Sequence, residues 1–227
     1  MVAIVEYYAR ALTRGRFSLI SFALQPISFI FIVYVVSGGR FLNTALAGAL
    51  VGFVVGVGVA DLAIELVGMK TRSRFYDVIM SLPGSNWRKA LGISVGMSVP
   101  AFPYVVLLTA ILVWRLGVGA FPGMLAAVVA LWLWSAGIGF LLGVKGKEPV
   151  QVMRLSNLLV TGLTVFPPVY YPASVLPGWL AKILVFLPTV SASQVLSGTG
   201  GSASLITTFL WGVLGLSLLL RFAGLEE

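Results

Sequence analysis

Residues 68–92 read GMKTRSRFYDVIMSLPGSNWRKALG, the longest run in the chain that is not dominated by apolar residues. The run carries Lys70, Arg72, Arg74, Arg88 and Lys89 against a single acid, Asp77, and long apolar segments flank it on both sides. Phe75, Val78, Ile79 and Leu82 recur at i, i+3, i+4 and i+7, the spacing of one helical stripe, and Tyr76 and Asp77 fill the same turn. Pro83-Gly84 stops that helix, because proline cannot continue the hydrogen-bond ladder and glycine takes turn dihedrals freely. Ser85 and Asn86 are ready N-cap residues for the helix that follows. The run therefore predicts a short amphipathic helix on a basic, aqueous surface, held between two membrane spans.

The flanks support this. Of 227 residues, 59% are hydrophobic and 10% charged, whereas soluble domains are about a quarter charged. The composition is that of an all-α integral membrane protein, and the length suits about six spans of about 20 residues. The net charge of +8 sits beside apolar segments, which points to orientation in the bilayer and not to nucleic acid. With no cysteine and no histidine, disulfides, the usual zinc ligand sets and histidine-based catalytic dyads are excluded.

On the N-terminal side, span 2 is expected over 44–67. Its Gly48, Gly52, Gly56 and Ala60 form a small-residue face that admits another helix closely. Span 1 is expected over 17–36. Residues 1–16 alternate apolar and charged positions at helical spacing and predict an amphipathic helix at the headgroup level, without the pattern of a cleaved signal peptide. On the C-terminal side, span 3 is expected over 90–114, kinked at Pro100 and Pro103, and span 4 over 122–144. A polar stretch at 145–154 leads to span 5 over 155–166, too short to cross alone and ended by Pro167-Pro168. Residues 167–200 are apolar and proline-rich without a full span, and span 6 is expected over 203–220. The whole is one transmembrane domain, residues 1–227. With the N-terminus inside, 12 of the 15 basic residues face inward, leaving only Arg40, Arg115 and Lys182 outside. Both termini are then cytoplasmic.

The predicted membrane interior holds few ionisable groups. Asp61 and Glu65 lie one turn apart near the inner edge of span 2, and pairing with Lys70, Arg72 or the N-terminal arginines is the first reading of them. A coupling-ion site is the second. No phosphate-binding loop of the G-x-x-x-x-G-K-[ST] type occurs, so the chain shows no energy source of its own. Mild polar stripes, Ser21, Gln25 and Ser28 with Ser18 in span 1 and Asn157, Thr161 and Thr164 in span 5, suit either interhelical hydrogen bonds or a weakly polar passage.

The stretch 166–190, FPPVYYPASVLPGWLAKILVFLPTV, resembles a recurring segment of ABC type-2 transporter permeases. The matching positions are Pro172, Ser174, Leu176, Pro177, Trp179, Leu180, Pro188 and Thr189. Asp77, Met80, Pro83, Ser85, Arg88, Leu91 and Gly92 fit the first cytoplasmic loop of the same family, although 70–75 and Met80 depart from its usual residues. The resemblance implies re-entrant extracellular helices between spans 5 and 6, with Pro172, Leu176, Pro177, Trp179 and Pro188 in an outer gate. It also implies a coupling helix, with Arg72, Arg74, Phe75, Tyr76, Asp77, Val78, Ile79 and Leu82 at its contact with a separate ATPase subunit. The expected function is the membrane-spanning subunit of an ATP-driven ABC exporter in the cell membrane, with an amphipathic or lipid-like substrate. Its partners would be the ATPase subunit, a second permease copy in a homo- or heterodimer, and the bilayer. ATP and Mg would bind the ATPase, and this chain would carry no cofactor and no catalytic residue. Two other classes stay open: a secondary carrier using Asp61, and a non-transporting membrane scaffold.

Overall fold

A computed structural model describes residue 6, residues 16–73 and residues 75–223, without the side chains of residues 16–23, 25, 26 and 73. The amphipathic helix expected over 1–16, Arg74, and the side chains of Ser18, Ser21 and Gln25 thus lie outside the described residues. Every regular element among the described residues is a helix. In chain order these are α1 (Arg16–Ser37), α2 (Leu42–Val55), α3 (Leu62–Gly68), α4 (Phe75–Ser81), α5 (Asn86–Ser98), α6 (Phe102–Leu116), α7 (Phe121–Lys145), α8 (Pro149–Thr164), α9 (Gly178–Leu184), α10 (Pro188–Leu196) and α11 (Ser202–Ala223). Among the described residues, four helical stretches are long and apolar enough to cross a membrane: Leu42–Arg72, Asn86–Leu116, Val118–Lys145 and Ser202–Ala223. The bent pair α9 and α10 makes a fifth if it counts as one span. At about 1.5 Å per residue, a helix of 31 residues is about 46 Å long, well beyond a hydrocarbon core of about 30 Å. The extra turns of Leu42–Arg72 carry Lys70 and Arg72.

Several expectations are refined. The span 2 helix is continuous but widens into π-helical turns at Gly56–Asp61, which holds Gly56 and Gly58, and at Met69–Ser73. In span 3 the break is a 3₁₀ turn at Val99–Ala101 containing Pro100. Pro103 falls in the first turn of α6, where the missing N–H costs no ladder bond, so Pro100 accounts for the break. The polar stretch 145–154 is mostly helix: Glu148 holds an extended N-cap conformation and Pro149 opens α8 at once. At 16 residues, α8 spans about 24 Å, less than the core thickness.

The column of the bundle is α7, which packs against α2, α3, α10 and α11. Small residues make this possible. A Cβ on Gly139 would overlap the carbonyl of Gly58 in the π-turn, and one on Gly137 would overlap Gly215 of α11. The predicted small-residue face of span 2 is used differently from expectation. Gly48 and Gly52 receive Tyr170 from the turn after α8, not another helix, and Gly56 has no neighbour within 4 Å. Tyr170 also stacks on Phe29 of α1 with centroids 4.6 Å apart, so one aromatic ring pins that turn to α1 and α2.

Candidate functional site

α4 is the element to which the sequence assigns a partner, and its packing decides which residues a partner could reach. Tyr76 and Ile79 are 1% and 2% exposed, whereas Val78 and Leu82 are 54% and 51% exposed. The predicted stripe Phe75, Val78, Ile79, Leu82 is therefore split. Tyr76 and Ile79 turn inward onto a cluster that includes Leu62, Leu66, Ile93, Phe140 and Leu219, drawn from α3, α5, α7 and α11. The reason is continuity: the stripe of Tyr76, Ile79 and half-buried Met80 meets the apolar ends of those helices, and the chain buries that side. Phe75 is half-buried against the same cluster. Ile79 and Tyr76 are thus not available to another protein, a correction to the predicted contact set.

Two lysines of the basic run are structural. Lys89 is 9% exposed, and its Nζ donates to the Met80 carbonyl at 2.6 Å and to Asn86 Oδ1 at 3.4 Å. It thereby satisfies a carbonyl left free at the end of α4, where a cation is also favoured by the helix dipole. Lys70 Nζ donates to the carbonyl of Val144 near the end of α7 and lies 6.0 Å from the centre of the Tyr76 ring. Ser85 occupies the N-cap position of α5 as expected but makes no side-chain capping bond. What remains open to solvent along this run is Val78, Leu82 and Trp87 as apolar side chains, with Asp77, Arg72 and Arg88 as charged ones. The Arg88 guanidinium lies 5.3 Å from the Trp87 ring centre, which holds both side chains at the surface.

The residues expected at an outer gate differ in burial. Trp179 is exposed on α9, Pro177 is exposed, and Pro172 and Leu176 are half-buried, while Pro188 is buried as the first residue of α10. The two short helices are bent by 99° at the break between them. The sequence reading missed how firmly α10 is stitched. Thr189 donates to the Leu163 carbonyl, Ser193 to Val169 at 2.6 Å, Ser204 to Gln194 at 2.7 Å and Thr208 to Ser191 at 3.0 Å. The available signal was TVSASQVLSGTG at 189–200, the longest hydroxyl-rich run in the chain.

Among the predicted pathway residues, Asn157 and Thr161 share an exposed face of α8. Thr164 is buried and donates to its own Val160 carbonyl at 2.7 Å, so it is spent on its helix. Ser28 is exposed and donates to Leu24 in the same way. Asp61 is half-buried and Glu65 exposed, and neither forms an ion pair among the described residues. The expected pairing with Lys70 or Arg72 is therefore not made; the Lys70 ammonium reaches α7 instead. No group of three metal-ligating residues occurs among the described residues. Comparison with known proteins finds no matching family model and no significantly similar curated protein.

Proposed function

We propose that the chain is the membrane-spanning subunit of an ATP-driven exporter of the ABC type, working with a second permease copy and a separate ATPase subunit. On this reading it crosses the cell membrane six times, as α1, α2 with α3, α5 with α6, α7, α8 and α11, with both termini cytoplasmic. The ATPase would bind ATP and Mg, and this chain would supply the path for an amphipathic or lipid-like substrate. The observation that carries the reading is the two-sidedness of α4. Its inner face is locked to α3, α5, α7 and α11 through Tyr76 and Ile79, and its end is capped by Lys89. Its outer face offers Val78, and exposed Leu82 in the turn that follows and Trp87 at the start of α5 add apolar surface next to Arg88. A helix held this way transmits a push from outside as a tilt of the helices on either side of it, rather than sliding along them. The α9–α10 segment would act as the outer gate, and α1, α2 with α3, and α8 would line the path.

The experiment is the pair Val78→Ser, Leu82→Ser. Both side chains are about half exposed, so their burial at an interface would contribute roughly half of the usual 1.5–3 kcal/mol each. ATPase co-purification should weaken about ten- to a hundredfold, with membrane insertion unchanged. Undiminished co-purification and wild-type substrate-stimulated ATP hydrolysis would rule out docking at this face. One observation favours a second reading, a secondary carrier: Asp61, half-buried in span 2, has no counter-charge among the described residues.

A further inference from the structure

The corner between α7 and α8 forms an open pocket of about 410 Å³. Leu141, Leu142 and Leu155 supply apolar lining, and Lys145, Lys147 and Gln151 supply polar lining. Gly146 allows the turn to fold this tightly, since a Cβ there would run into Val152 and into the Leu142 carbonyl. Lys145 and Lys147 are exposed and neither forms an ion pair among the described residues. The Lys145 ammonium lies 5.7 Å from the Phe222 ring centre, and the adjacent acid, Glu148, is exposed and outside the lining.

The corner ends the apolar stretch Val118–Lys145, so it lies where a membrane's hydrocarbon gives way to headgroups. A soluble anion would neutralise the lysines and leave the leucine lining wet. A neutral lipid would cover the leucines and leave two cations without a counter-charge. Only a molecule with an anionic head and a hydrocarbon tail meets both demands, and basic pockets between membrane helices bind such heads. We propose that this corner binds one anionic phospholipid, its phosphate between Lys145 and Lys147 and an acyl chain along Leu141, Leu142 and Leu155. The site also touches the packing of α8 on α3, because Val152 beside Gly146 packs against Ala63 and Val67.

The test is a titration of the purified full chain in detergent with phosphatidylglycerol or phosphatidylcholine, with bound lipid counted by native mass spectrometry. One tightly retained phosphatidylglycerol is expected, and Lys145→Gln, Lys147→Gln should lower its retention about thirtyfold, roughly a factor of five per ammonium. Lys145→Arg, Lys147→Arg should keep it, separating lost charge from lost fold. Arg72→Gln, Arg88→Gln, exposed and outside the lining, should change it by less than twofold. Equal losses in the two glutamine pairs would show diffuse surface charge and overturn the site. Equal retention of phosphatidylcholine would do the same, as would displacement of the lipid by an equal concentration of glycerol phosphate.

Discussion

Lys89 stands in the most basic run of the chain and is nonetheless buried, with its ammonium on the Met80 carbonyl. Nothing in residue type distinguishes it from exposed Arg88 next to it. The distinction arises from the turn at Pro83-Gly84, which folds the start of α5 back onto the end of α4 and brings residues nine apart in sequence together. A hydrogen bond to a charged group contributes about 1.5–3 kcal/mol, so Lys89→Met should lower unfolding stability by about that amount while Arg88→Gln leaves it within about 0.5 kcal/mol. Thermal unfolding of the two variants in the same detergent measures this, and equal melting temperatures would refute the capping role. Ile79 was hidden for a related reason. Its spacing was read correctly as apolar and helical, but spacing does not say which of two overlapping stripes faces the chain's own core. Asp61 is a third case: of its expected partners, Lys70 is engaged by α7, Arg72 forms no ion pair with it, and the N-terminal arginine side chains lie outside the described residues. On the exporter reading, Asp61→Asn should leave ATP-driven transport intact. Abolished transport, together with wild-type movement of substrate on a proton gradient without ATP, would establish the carrier instead.

The positions of the elements were largely legible because apolar run length and proline placement are local signals. The predicted helix over 75–82 appears as Phe75–Ser81, and the break in span 3 falls at Pro100. Partnerships between elements were not legible. The repeat of Gly48, Gly52 and Gly56 marks a groove, yet a groove does not name its occupant, and here it is Tyr170. The closest helix contact falls instead between Gly58, which lies off that repeat, and Gly139, which stands four residues before Gly143 on α7. This difference is testable by a methyl group. Gly139→Ala drives a Cβ into the Gly58 carbonyl, and the neighbour is backbone that cannot rotate away. Overpacking of this kind costs typically 1–3 kcal/mol. Gly56→Ala meets nothing within 4 Å and gains up to about 1 kcal/mol of helix propensity. The fraction of monodisperse protein surviving heating should therefore fall for the first and hold or rise for the second. A loss at Gly56 matching that at Gly139 would mean that the π-turn itself, not the α7 contact, limits stability.

At the scale of the molecule, the charge asymmetry and the packing are independent, and they agree on how the ends are divided. One end gathers α4, Lys70 on Val144, and Lys145 beside Phe222. The other gathers the first turn of α2, where Arg115 donates to Asn43, and the end of α10, where Gly198 adjoins Leu116. The chain has no cysteine, so a single introduced thiol reports its own position. Arg40, Arg88 and Arg115 are all exposed, and each can be replaced by cysteine without opening the core. If Leu42–Arg72 and Asn86–Leu116 each cross the membrane, positions 40 and 115 respond alike to a membrane-impermeant thiol reagent and position 88 responds oppositely. The excess of basic residues on the α4 end further requires that 40 and 115 be the ones labelled from outside intact cells. The three positions thus separate two claims that a single site would confound. Labelling of 88 alone would keep the bundle and invert its orientation, which would put α4 beyond reach of any cytoplasmic ATPase. Discordance between 40 and 115 would break the bundle itself, because those residues would no longer share an end. Labelling of 40 and 115 without 88 is the expected pattern, and it places the Val78, Leu82 and Trp87 surface in the cytoplasm, where a nucleotide-driven partner must be.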